Sequence, residues 1–390
     1  MDFTASTTRL CQLESIAGRM NLLDEMTHYS FNNRDAVIDE NVWHLLKTSI
    51  QQSLDREPNH DYIAGIFKLV SNLLASSSRN QELCCSSGLY AHALGCILNI
   101  ENPNVITMAA QLLSNLVTSN VDTQAIVWPD IMSSCILPII LMGFKSKNSG
   151  LILIYNCVCT STDLVCQTIF CDSGLQAIRL IFADLQNGYN FDISYSILSK
   201  LIQHDVIIQI SDSIERSPEA SVVLLKVLDG INHTRENSSP QPIPAHAYKD
   251  TSAYCMKFLG DTSDNLDSAC DDYSTQCTIL ILLLEFFKYL TQFNDHSMKL
   301  ALLDAGLIKL LLGCLEKLNI VQPTICNKLK DGDSNIEKHP LYGAKCDVII
   351  ILSSLSFECR VAQDSIRDLG GLAQILNHCN IDDFNPCRYL

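Results

Sequence analysis

Leu69-Val-Ser-Asn-Leu-Leu74 decides the fold, because the chain writes it more than once. Leu112-Leu-Ser-Asn-Leu-Val117 repeats it, with Asn115 forty-three residues after Asn72 and Gln124 forty-three after Gln81. A third copy carries Asn156 and Gln167, then Gly174-Leu175. Further on, Leu352-Ser-Ser-Leu355 leads to Gln363 and Gly370-Gly371-Leu372. The glutamine-to-glycine interval is seven residues in three copies (81 to 88, 167 to 174, 363 to 370), and Lys299 to Gly306 keeps it with a changed first residue. Leucines three and four apart mark one face of a helix. A helical module of about 40 to 47 residues cannot bury that face alone and does so by stacking on its neighbours.

This period predicts an all-α chain, an armadillo/HEAT-like right-handed α-solenoid in two repeat blocks separated by a disordered linker. Residues 1–60 hold two helical patterns, 8–26 and 36–54, without the repeat signature, and are expected to cap the first block. Residues 61–230 read as about four units, with first helices over 63–75, 105–118, 151–160 and 193–203. Ser76-Ser-Ser78 with Asn80, and Ser119-Asn120 with Asp122, supply side-chain oxygens to cap the helices that follow. Gly88 and Gly174 are expected where the chain needs positive φ or close helix approach, and Pro129 where a helix opens. Residues 231–276 hold Ser238-Ser-Pro-Gln-Pro-Ile-Pro244 and then Asp261, Asp264, Asp267, Asp271 and Asp272, a composition expected to stay an exposed acidic linker. Repeats return over 277–386, with a shorter loop at 323–342, and 387–390 form a divergent tail.

The chain carries 43 acidic against 27 basic residues, a net charge of −16, so its surface disfavours phosphate backbones and anionic lipid. Nucleic-acid binding is not expected, and basic or neutral protein partners fit better. The N-terminus shows no basic region followed by an apolar run, and the apolar runs at 135–144 and 278–284 fall short of the roughly 20 residues that span a bilayer, so a soluble chain without membrane insertion is expected. Eighteen cysteines include no C-x-x-C pair, and most lie in apolar helical runs, as reduced thiols of a cytosolic protein do. No metal site and no cofactor is expected.

Asn72, Asn115 and Asn156 hold equivalent places in successive units. There a side-chain amide can donate to and accept from the backbone of an extended peptide, or else bond within its own unit or to solvent. Ser217 and Ser239 each precede proline and are candidate phosphorylation sites. The histidines are scattered, and no phosphate loop, nucleophile elbow or H-E-x-x-H occurs, so no catalytic residues and no enzyme are expected.

Gly343-Ala-Lys345, Ile349-Ile-Ile-Leu-Ser-Ser-Leu355, Gln363, Gly370-Gly371 and Leu376-Asn-His-Cys-Asn-Ile-Asp-Asp383, with Asn385-Pro386, resemble the C-terminal domain of the ataxin-10 family over about fifty residues. In that family the Asn-Pro is followed by a further apolar helix pair. Here Cys387-Arg-Tyr-Leu390 follows instead, which implies a shortened form with an exposed, self-associating end. The resemblance implies a non-enzymatic interaction scaffold in the cytoplasm, perinuclear or at the midbody or ciliary base, serving neurite outgrowth, neuronal survival and cytokinesis. Its implied partners are O-GlcNAc transferase, a G-protein β subunit and a second copy of the chain. An armadillo-type cargo adaptor that binds linear peptides is the alternative the asparagine row allows.

Overall fold

The computed structural model describes residues 2–33, 38–55, 59–141, 144–214, 217–238, 248–266, 273–292, 295–321 and 340–377, and these are helical without a β-strand. The chain divides into two compact units, Met1–Leu201 and Ile202–Leu390.

In the first unit the helices are α1 (Phe3–Gln12), α2 (Ile16–Asn32), α3 (Glu40–Asp55), α4 (His60–Leu74), α5 (Ser78–Ser87), α6 (Leu89–Asn99), α7 (Pro103–Leu116) and α8 (Val121–Asp130). A π-helical turn (Ile131–Cys135) joins α8 to α9 (Ile136–Leu141), and α10 (Phe144–Thr160), α11 (Thr162–Thr168), α12 (Asp172–Asn187) and α13 (Phe191–Ile202) follow. Helices α2, α4, α7 and α10 pack side by side as one row, and α3, α6, α9 and α12 form a second. Leu69, Leu73, Leu74, Leu112, Leu113 and Leu116, the leucines of the opening motif and its first repeat, are buried. Each contributes about 1.5–3 kcal/mol by leaving water.

The expected capping oxygens are in place: Ser77 accepts from the Asn80 amide at 3.3 Å and Asn120 from Thr123 at 3.2 Å. The two glycines serve differently. Gly88 stands at φ 72°, a left-handed turn between α5 and α6. Gly174 has no positive φ; a methyl there would collide with the Ile169 carbonyl and lie 2.9 Å from the Met132 methyl, so its role is close approach.

Several expectations need correction. The 8–26 pattern is two helices, because Ser15 caps a new one through Gly18 N–H. Its second helix, α2, packs on α4 as α4 packs on α7, so the N-terminal segment already belongs to the stack. Pro129 lies inside α8 and opens nothing; the wider π turn follows it directly. The run Val121–Leu141 is thereby long and apolar enough to cross a membrane by length and composition, contrary to the short apolar runs expected, yet half of it is buried in the stack.

The second unit contains α14 (Ile207–Ser213), α15 (Pro218–Ser238), α16 (Lys249–Asp264), α17 (Tyr273–Thr291), α18 (His296–Asp304), α19 (Leu307–Val321), α20 (Ala344–Ser356), α21 (Arg360–Asp368) and α22 (Gly371–Asn377). Helices α15, α17 and α20 pack in one row; α16 and α19 pack in another. The stretch 231–276, expected as a disordered linker, thus ends α15 and supplies α16, with Tyr254, Cys255 and Leu259 buried. Its cap comes from far upstream. Asp205, at φ 61°, accepts the Asp250 and Thr251 amides at 2.8 Å each and the Thr251 hydroxyl at 2.6 Å. The prolines at 240–244 and the loop at 323–339 lie outside the described residues.

A row of asparagines as candidate interaction face

Helices α4, α7 and α10 carry Asn72, Asn115 and Asn156 into one row, each half-buried. Each amide nitrogen donates to the preceding helix of that row. Asn72 Nδ2 reaches the Thr27 carbonyl at 3.4 Å and Ser30 Oγ at 3.5 Å. Asn115 Nδ2 reaches the Ser71 carbonyl and hydroxyl at 2.9 and 2.8 Å. Asn156 Nδ2 reaches the Ser114 carbonyl at 3.2 Å and Thr118 Oγ1 at 2.9 Å. The Ser-Asn pair of the motif is therefore a link: its serine accepts from the next repeat and its asparagine donates to the previous one.

The glutamines close the link from the other side. Gln81 Nε2 donates forward to the Asn115 carbonyl at 2.8 Å and the Thr118 carbonyl at 3.2 Å, while its Oε1 accepts from Asn120 at 2.9 Å. Gln124 Nε2 donates to Val117 at 2.6 Å and to Asn156 at 3.4 Å, and its Oε1 accepts from Ser161. In the second unit Lys299 takes the glutamine's place, its ammonium 2.8 Å from the Phe357 carbonyl and 5.7 Å from the Phe357 ring. Repeat-to-repeat bonding is thus one task of the residues singled out for binding.

A second task stays open to the asparagines. Their Oδ1 atoms accept no hydrogen bond among the described residues. One turn earlier on the same three helices stand Lys68, Gln111 and Ile152, all exposed. Sequence reasoning passed over this second row because its residue types differ, although the interval of four to each asparagine was legible. Together the rows offer acceptors, one cation, one amide and one apolar side chain across adjacent repeats.

Ser217 caps α15: its Oγ accepts from Ala220 at 3.1 Å, and the side chain is half-buried. Ser239 lies outside the described residues. Among the described residues no three His, Cys, Asp or Glu side chains gather to hold a metal ion. Burial pushes the Cys96 thiol to about 11 and the Cys314 thiol to about 12, and raises those of Cys84, Cys157 and Cys255, so these thiols stay protonated and unreactive at neutral pH.

The "Spinocerebellar ataxia type 10 protein domain" matches residues 344–388. Ataxin-10 of Xenopus tropicalis is 24% identical over 349 residues, 83% of this chain and 69% of the frog protein. The ataxin-10 homolog of Dictyostelium discoideum is 47% identical over 57 residues, 15% of this chain and 9% of its own. Among solved structures, one described as an engineered protein covers 98% of this chain and 95% of its own, at 12% identity and TM-score 0.41.

Proposed function

The chain belongs to the ataxin-10 family, and on that footing we propose that it is a non-enzymatic protein-interaction scaffold whose asparagine row receives an extended segment of a partner. The observation that carries this is the set of three Oδ1 acceptors, one per repeat, fixed in place because each amide nitrogen is already bonded to the repeat before it. Pre-organised acceptors order only the incoming chain, which keeps the entropic cost of binding low. The proposed setting is cytoplasmic, extending to the perinuclear region, midbody or ciliary base, with roles in neurite outgrowth, neuronal survival and cytokinesis. The proposed partners are O-GlcNAc transferase, a G-protein β subunit and a second copy of the chain.

Affinity capture tests this with the intact chain against a Lys68→Glu/Gln111→Glu/Ile152→Glu variant. These positions are exposed, so the stack survives while the face changes charge. Loss of a common set of partners supports the scaffold reading; an unchanged set removes the asparagine face from it.

A further inference from the structure

The second unit holds a cleft of about 780 Å³ between α14, the start of α15, α16 and α17. That volume lies in the range of about 300–1,000 Å³ typical of ligand sites. Ile208, Ile279, Tyr254 and Phe258 line its apolar part, the two rings 4.7 Å apart and tilted by 38°. Burial pushes the Tyr254 phenol up to about 12, with the Ser211 and Ser221 hydroxyls opposing the rise. Two of its helices bring exposed carboxylates to the lining, Asp212 on α14 and Asp261 on α16, with Lys257 one turn before Asp261. Among the described residues the lining thus holds two carboxylates and one lysine. Asp264, three residues further along α16, is exposed as well.

We propose that this cleft seats a basic-aromatic segment of a protein partner, an aromatic side chain entering between Phe258 and Ile279 while flanking arginines meet Asp212 and Asp261. Apolar contact supplies the affinity of such a site, and the acidic rim selects the sign of the incoming charge. Asp261 and Asp264, which read as part of an exposed linker, thereby acquire a use: α16 presents them beside an apolar hole. The inference deepens the scaffold reading, and the two fail separately, because the cleft and the asparagine row share no residue.

The test is fluorescence anisotropy on the full chain with a labelled peptide in which two arginines flank one tryptophan. Two control peptides carry glutamates for the arginines or glycine for the tryptophan. Binding is expected for the first peptide alone. It weakens about threefold in Asp212→Asn and again in Asp261→Asn, as partly exposed charge pairs do. It disappears in Ala253→Trp, which fills the mouth from an exposed position of α16 and whose helical content is checked by circular dichroism. Equal or tighter binding of the glutamate peptide overturns the proposal, and so does binding that survives Ala253→Trp. Binding that survives Ala253→Trp but is lost in the Lys68/Gln111/Ile152 variant overturns the cleft and leaves the scaffold standing.

Discussion

Replacing Gln81 with alanine isolates what one motif glutamine does for the stack. Gln81 is 3% exposed and joins two repeats: it donates to Asn115 at 2.8 Å and Thr118 at 3.2 Å, and accepts from Asn120 at 2.9 Å. A net 0.5–1.5 kcal/mol for each well-formed bond, with the stranding of buried acceptors added, places the loss at about 3 kcal/mol. Gln363 occupies the same motif position but is exposed, with one bond to its own unit's Ser356 carbonyl at 2.9 Å. Its replacement costs about 0.5 kcal/mol by the same reasoning. For a unit the size of Met1–Leu201, 3 kcal/mol corresponds to a fall in Tm of about 6–12 °C. Both tryptophans, Trp43 and Trp128, are fully buried in that unit. Tryptophan fluorescence therefore follows it alone, while circular dichroism follows Gln363→Ala. A Gln81→Ala shift no larger than that of Gln363→Ala refutes the clasp.

Gly174→Ala and Gly88→Ala test two different demands on glycine. The first drives a methyl into the Ile169 carbonyl and should cost about 3 kcal/mol in urea unfolding. The second keeps φ at 72° and should cost about 1 kcal/mol, so the reverse order contradicts the assignment. His92 supplies a pH dependence. Burial lowers its pKa from 6.5, the Gly88 carbonyl opposes that and Lys47 adds to it. Its contribution is present above the unfolded value and is lost as pH falls through the depressed folded value. In His92→Gln the fall of the urea midpoint between about pH 7.5 and 5 should be shallower than in the parent chain; an unchanged slope contradicts it.

The repeat was legible because leucine spacing and the Ser-Asn pair recur at nearly constant distance, and the capping oxygens of Ser77 and Asn120 act within three residues of their own position. Legibility ended where the partner is remote. Nothing near Lys249 announces a helix start, because its cap is Asp205, bonded to residues forty-five and forty-six positions away. Proline and aspartate outweighed Tyr254, Cys255 and Leu259, whose burial depends on neighbouring helices. Likewise the asparagine row was found, but its inward bonding was not, since Ser71 and Ser114 become acceptors only when the next repeat is laid down. Lys68, Gln111 and Ile152 share no residue type and so left no motif.

Hydrogen-deuterium exchange on the intact chain and on Gln81→Ala asks most directly whether neighbouring repeats hold one another. The stacked account predicts faster exchange in α7 and α8 as well as in α4 and α5, because the lost bonds end on Asn115, Thr118 and Asn120. Acceleration confined to α5, with α7 and α8 unchanged, would contradict it.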